Sequence, residues 1–207
     1  MKRKRKLWIA GALLITVMLV LLAGHIVLQK VQFGFAREVS DEEEQKRMQI
    51  VQAAQQWLGA AETDGSHKPI IDIYNAHEPL AVGYIMQYDD AWCATFGSAV
   101  AITCGMTDII PTECGCQRQI ALFEKMNCWV EDDNYTPLPG DYIFYSSKDS
   151  IGDNVGWSDH VGIVVGTWGN YIKVIEGNYA NRVAYRIIAI GDSYIRGYGV
   201  PNYAAIE

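Results

Sequence analysis

The chain has 207 residues, 50% of them hydrophobic, and a formal net charge of −7. Five of its 17 basic residues lie within the first six positions, so the remainder has 12 basic against 24 acidic residues, a formal charge of −12. This balance argues against a nucleic-acid partner and against electrostatic docking on anionic lipid or anionic wall polymers, because both kinds of binding need basic surfaces. We therefore expect any substrate to be recognised in a shaped cleft.

The N-terminal segment has the pattern of a membrane anchor. A basic end, residues 1–6, precedes an apolar run over residues 7–29 that is long enough to cross a bilayer as one helix. Basic residues mark the cytoplasmic side, so the sequence predicts a single-pass anchor, a short linker at 30–43 and a domain at 44–207 outside the cell membrane. The alternative is a signal peptide, cut near residues 34–36, that leaves a secreted protein.

Helical patterns dominate the first half of the domain. Ser40 and Glu43 form a capping box, and an apolar stripe from Ile50 to Leu58 follows at helical spacing. Further helices are predicted near 70–75, over 92–104 and over 117–126. The helix at 92–104 consists of small and apolar residues on every side, which is typical of a buried helix.

Strand patterns follow in the second half. The predicted strands are residues 141–145, 160–165, 171–176, 182–190 and 194–200, and Gly169-Asn170 forms a hairpin turn between the second and the third. Helices first and an antiparallel sheet afterwards predict the α+β class.

The five cysteines are distributed unevenly. Cys93 stands alone, and four others lie within 25 residues: Cys104, Cys114, Cys116 and Cys128. In an oxidising exterior an odd count predicts disulfide pairs and one free thiol. The sequence leaves the three possible pairings open, together with a zinc cluster and four reduced thiols.

The residues also suggest nucleophilic catalysis. Cys93 is at the predicted start of the buried helix, where the helix dipole favours a thiolate. His160 opens a strand and is the candidate general base, whereas His67 and His77 lie in loops and are expected to be solvent-exposed. Glu176 and Asn178 share one face of an extended strand end, where Glu176 can hold the ring of His160 and Asn178 can orient that ring or the substrate.

Four blocks of the sequence resemble one family. Trp92-Cys93-Ala94-x-Phe96, Pro139-Gly140-Asp141-x-Ile143-Phe144, Asp159-His160-Val161-Gly162-Ile163-Val164 and Glu176-Gly177-Asn178 look like the successive blocks of the CHAP family, the cysteine- and histidine-dependent amidohydrolases/peptidases of the papain-like superfamily. No block is specific alone, but their order and spacing agree over the domain.

The resemblance implies a papain-like fold, with N-terminal helices packed on an antiparallel sheet, and cleavage of amide bonds in bacterial peptidoglycan. It assigns Cys93 as nucleophile, His160 as base, Glu176 as third member and Asn178 as supporting residue. Trp92 is expected to line the substrate groove. No cofactor and no metal site is expected.

Other functions remain compatible with the sequence. The chain can be a non-catalytic, disulfide-held interaction domain of an envelope complex, in which Cys93 is unreactive or paired with another cysteine. It can also be an acyltransferase, in which an amine replaces water at the thioester. A place in a secretion or conjugation complex is a further possibility, and the bond that is cut is left open.

Overall fold

The computed structural model describes residues 33–146 and 156–205. The predicted membrane anchor at 7–29 and the basic end before it lie outside these residues. Within the two described ranges, the longest and most apolar helices fall short of what is needed to span a bilayer. Gly34, assigned above to the linker, pairs with Thr167 through backbone hydrogen bonds of 3.0 and 2.9 Å, so the folded unit begins before residue 44.

The described residues contain four α-helices, as the sequence patterns indicated. They are α1 (Asp41–Gln55), α2 (Lys68–Asn75), α3 (Cys93–Thr103) and α4 (Cys116–Lys125), with short 3-10 turns at Ala81–Gly83 and Tyr203–Ala205. The Ser40 side chain caps α1 by accepting from the backbone N–H of Glu43 at 3.2 Å, as the capping box predicts.

The strands form one six-stranded sheet. They are β1 (Trp129–Val130), β2 (Tyr142–Tyr145), β3 (His160–Trp168), β4 (Tyr171–Glu176), β5 (Ala184–Ala189) and β6 (Ile195–Gly199), in the order β1-β6-β2-β3-β4-β5. Every pairing is antiparallel, which confirms the α+β class. The hairpin between β3 and β4 closes with Trp168 opposite Tyr171, as predicted from Gly169-Asn170. The two-residue strand β1 was not predicted.

Helix α3 is the centre of the core. Its first nine residues, 93–101, are all buried, and it packs against α1, α2 and β3. Gly97 permits this close approach, because a Cβ at that position would lie 2.8 Å from the Tyr142 ring. The Tyr142 hydroxyl donates to the Gly97 carbonyl at 2.8 Å, which fixes the height of α3 on the sheet.

A buried ion pair joins α1 to the start of β2. Arg47 is 2% exposed and Asp141 0%, and their nearest atoms are 2.8 Å apart. The second oxygen of Asp141 accepts from the Tyr135 hydroxyl at 2.8 Å and from the Leu138 N–H at 2.9 Å. Asp141, part of the second sequence block, therefore has a structural role.

The five cysteines form no disulfide, so the expected pairs are absent. The fold directs their thiols to different neighbours. Cys104 contacts the Gln49 carbonyl at 3.7 Å, Cys128 contacts the Met126 carbonyl at 3.4 Å, and Cys114 accepts from Arg118 at 3.3 Å. Cys116 turns inward, against Cys93.

Replacing Asp141 with Ala should lower the free energy of unfolding by about 3 kcal/mol, because it removes the buried partner of Arg47 and leaves that charge with only the partly exposed Glu43. Chemical denaturation monitored by circular dichroism measures the loss. Asp108→Ala, at an exposed position, is the control and should change stability by less than about 0.5 kcal/mol. A loss no larger than the control's would mean that this ion pair does not hold α1 on the sheet.

Candidate active site

Cys93 is the first residue of α3, as predicted. It is preceded by Trp92, whose backbone is non-helical and whose side chain makes no capping hydrogen bond. The first N–H groups of a helix have no partner inside the helix, so they place partial positive charge around this position. The side chain is almost buried, with 6% of the residue exposed, and its sulfur lies 4.0 Å from the Asp159 carbonyl oxygen.

His160 opens β3 and is brought to Cys93 by the packing of α3 on that strand. Its Nε2 lies 3.0 Å from a carboxylate oxygen of Glu176, the last residue of β4. The Cys93 thiol interacts with the same ring, and each of the two groups favours the charged form of the other. The Tyr145 ring stacks on the imidazole with centroids 5.8 Å apart. Three of the four residues predicted as catalytic thus form one chain of contacts.

Glu176 is fully buried and has a second partner that sequence analysis missed. Arg186 of β5 donates from Nε to its other oxygen at 2.6 Å. The strand register explains this contact, since Glu176 pairs with Ala184 and Arg186 lies two residues further on the same face. Gly162 makes room for the carboxylate, because a Cβ there would lie 2.7 Å from Glu176 Cγ.

The electrostatics of the site favour an ion pair between sulfur and ring. Hydrogen bonding to Cys116, and then to His160, outweighs the effect of burial and holds the pKa of the Cys93 thiol well below its usual range. Burial lowers the pKa of His160, but its bonds to Cys93 and Glu176 raise it to about 9. Both shifts favour a thiolate beside an imidazolium at neutral pH.

The pKa of Glu176 is displaced in the direction that this ion pair requires. Burial alone would raise the pKa of the carboxyl group, but the hydrogen bonds from His160 and Arg186 bring it below its ordinary value. Glu176 is therefore a carboxylate that fixes the ring and stabilises its positive charge.

Asn178 lies in the site, and its side-chain hydrogen bonds go to Trp92 and Glu62 and not to the His160 ring, which was one of the two roles suggested for it. With its amide oriented to satisfy both ends, the oxygen accepts from the Trp92 N–H at 3.1 Å and the nitrogen donates to Glu62 at 3.2 Å. Its backbone has a positive φ of 57°, which asparagine tolerates better than most residues. Asn178 therefore fixes Trp92, the residue before Cys93, and lines the cavity beside His160.

Trp92 does not line the groove, contrary to the sequence-based expectation. Its side chain is fully buried. The indole N–H donates to Glu62 at 3.0 Å, and the ring packs against that of His67 with centroids 5.6 Å apart. His67 was expected to be solvent-exposed, but it is 3% exposed and both ring nitrogens face backbone carbonyls, of Ala61 at 3.2 Å and Tyr88 at 2.9 Å. The packed side chains of Trp92 and His67 therefore support the start of α3 from inside the core.

A cavity of ≈ 650 Å³ opens beside His160. Its lining is polar and aromatic: Tyr145, Asp159, His160, Asn178, Tyr179, Arg186 and Tyr194. The tyrosines and Arg186 were not singled out from the sequence, because their convergence depends on how β2 and β5 each pair with their neighbours within the sheet and on the loops that carry Tyr179 and Tyr194. Rings and hydrogen-bonding groups of this kind suit a polar substrate with amide or sugar groups.

Within the described ranges, no group of three or more histidine, cysteine, aspartate or glutamate side chains is arranged to hold a metal ion. Cys93, His160 and Glu176 are linked by hydrogen bonds and charge. This arrangement can perform attack on a carbonyl carbon by sulfur with proton transfer through His160.

Comparison with family models and with curated proteins gave no match. Among solved structures, the chain is similar to "The crystal structure of Ly7917", with a TM-score of 0.44 and 10% sequence identity. The alignment covers 76% of this chain and 62% of that one, so the chain spans less than two thirds of that protein's length.

Replacing Glu176 with Gln should lower the titration midpoint of His160. The carboxylate that stabilises the imidazolium is removed, so the midpoint should fall from about 9 by about 1–3 units. NMR of the full chain with labelled histidine measures this midpoint, and a His160→Gln variant assigns the resonance. Glu124→Gln, an exposed site on α4, should leave it in place. An unshifted midpoint in the Glu176 variant would show that this carboxylate does not control the ring's charge.

Proposed function

We propose that the chain is a cysteine hydrolase of the CHAP type that cleaves amide bonds of bacterial peptidoglycan. The observation that carries the proposal is the contact chain of Cys93, His160, Glu176 and Arg186 beside an open cavity. It supplies a nucleophile, a base and a group that fixes the base, which are the parts that covalent acyl transfer needs. The choice of peptidoglycan as substrate, and of a papain-like fold, is supported by the four sequence blocks.

The mechanism follows from the charges of the site. The Cys93 thiolate attacks the scissile carbonyl carbon, forming a C–S bond, and the carbonyl electron pair moves onto oxygen. The backbone N–H of Cys93, at the start of α3, points to the region where this oxyanion develops. When the tetrahedral intermediate collapses, the imidazolium of His160 gives its proton to the departing amine, and a thioester remains.

Water then completes the reaction. The neutral His160 ring takes a proton from a water molecule, whose oxygen attacks the thioester carbonyl. The C–S bond breaks, a carboxylic acid is released, and the proton returns the site to its thiolate–imidazolium state. Glu176 stays ionised throughout and stabilises each imidazolium, while Arg186 balances its charge.

The location is part of the proposal. We place the catalytic domain outside the cytoplasm, held at the cell membrane by residues 7–29, with secretion after cleavage as the alternative. Since the domain is acidic, its approach to the cell wall would rely on the anchor and on the cavity. Both the endopeptidase and the N-acetylmuramoyl-L-alanine amidase reaction fit the same site.

The non-catalytic interaction domain is the second candidate, and one observation favours it. It predicts a buried Cys93 engaged with another cysteine, and Cys93 is 6% exposed with Cys116 at 3.5 Å. In that case the site would bind an envelope partner without cleaving it. The experiment below separates the two functions.

Cys93→Ala should abolish the release of fragments from purified peptidoglycan by the full chain, because the attacking atom is lost. Mass spectrometry of the soluble products is the measurement, and the new termini identify the bond. Cys104→Ala removes a thiol at the other end of α3 and should keep activity. Equal release by wild type and Cys93→Ala would remove Cys93 as nucleophile, and no release by a folded, reduced wild type would favour the interaction domain. Fragments carrying a new amide to an added amine would indicate the acyltransferase.

The rate of fragment release should fall as the pH rises through about 9, where His160 loses its proton. The sign follows from the mechanism, because only the imidazolium can protonate the departing amine. Initial rates between pH 5 and pH 10 measure the profile. An activity that increases steadily to the alkaline end would contradict the assigned charge state of His160.

A further inference from the structure

Cys116 is the unexpected neighbour of the nucleophile. It is the first residue of α4, it is 7% exposed, and its sulfur lies 3.5 Å from that of Cys93. Sequence analysis grouped Cys116 with three other cysteines as a disulfide candidate. The fold separates it from that group and places it in the active site.

The position of Cys116 is held by hydrogen bonds on both sides. The Ser98 hydroxyl of α3 donates to the Glu113 carbonyl at 2.7 Å and accepts from the Glu113 N–H at 2.8 Å, which fixes the approach to α4. The side-chain oxygen of Gln117 accepts from the Ser158 N–H at 3.0 Å, which ties the start of α4 to the loop before His160. The N-terminus of α4 is therefore built into the site.

When one of the two thiols is ionised, the surroundings decide which sulfur keeps its proton. Two thiolates at contact distance would repel each other strongly in a buried site, so one sulfur keeps its proton when the other is ionised. The titratable groups that face the pair are His160 of β3 and Asp159 just before it. His160 bonds to Cys93 and favours its thiolate, whereas the negative charges of Cys93 and Asp159 favour the neutral form of Cys116.

We propose that Cys116 is a positioning residue of the active site, whose S–H donates a hydrogen bond to the Cys93 thiolate and keeps that thiolate ready for attack. This role rests on the proposed function in one respect only, the use of Cys93 as nucleophile. It also assigns Cys116 a use that the other three cysteines of the cluster do not share.

The test measures the ionisation of Cys93 itself. The reduced full chain is treated briefly with iodoacetamide across a pH series, and mass spectrometry of the Cys93 peptide gives the labelling midpoint. Cys116→Ala removes the donor and should raise the midpoint by about one pH unit, as expected for one hydrogen bond to a charged group. Cys116→Ser keeps a donor and should return the midpoint most of the way. Cys104→Ala is the matched control and should not move it.

Two outcomes overturn the inference. One is a folded Cys116→Ala chain whose Cys93 midpoint equals that of the wild type. The other is seen in the wild type without any variant: in initial labelling, Cys116 should react only at pH values well above those at which Cys93 reacts, and a common midpoint or the reverse order contradicts the assignment. The wild-type arm decides if the Cys116 variants do not fold.

The labelling midpoint is independent of peptidoglycan cleavage. A shifted midpoint in Cys116→Ala together with an inactive wild type would count against the hydrolase and still support the hydrogen bond from Cys116 to Cys93. An unshifted midpoint with normal cleavage would support the hydrolase and count against the hydrogen bond from Cys116 to Cys93.

Discussion

The burial of the first nine residues of α3 is the constraint on which the rest of the structure depends. A helix with apolar or small residues on every side is stable only when it is covered on every side, and here α1, α2 and the sheet provide that cover. Its first residue, Cys93, reaches the edge of the core beside the start of β3. The hydrophobic effect, acting on residues that take no part in chemistry, therefore fixes the place of the sulfur.

The polar part of the site follows from a second constraint, the charge on the buried Glu176. Removing a carboxylate from water costs several kcal/mol unless charged partners compensate, and the two oxygens of Glu176 each have one, His160 and Arg186. If His160 were its only partner, the buried carboxylate could accept the ring proton. The pair would then consist of a neutral acid and a neutral imidazole. Arg186 lets the carboxylate stay ionised inside the core, and the carboxylate in turn holds His160 in place.

The sequence was sufficient to predict those features that arise from local patterns. The capping box at Ser40, the apolar run of α3 and the β-branched runs of β3 and β4 each determine one element, and the structure has these elements close to the expected positions. The contact between His160 and Glu176 was also predictable, because a hairpin brings the start of one strand near the end of the next. These interactions span few residues or one tight turn.

Contacts between distant segments were not predictable in the same way. Arg186 reaches Glu176 through the register of β5, which depends on the loop at 177–183. The burial of Trp92 depends on Glu62 and His67, two residues of an irregular segment with no periodicity to interpret. The expected disulfides rested on the number of cysteines, whereas the actual geometry depends on where α4 begins.

The charge distribution of the site bears on how an acidic domain would perform the proposed reaction on a polar substrate. Arg186 lines the cavity, but Glu176 largely neutralises it, so the cavity does not offer a free positive charge to anionic groups. Binding must then depend on ring faces and hydrogen bonds from the tyrosines and backbone around His160. The reactive charges, thiolate and imidazolium, compensate each other until a carbonyl carbon arrives. If the proposed hydrolysis is the function, this arrangement would favour neutral amide groups over the charged groups of wall polymers, because the Arg186 charge that lines the cavity is already compensated by Glu176.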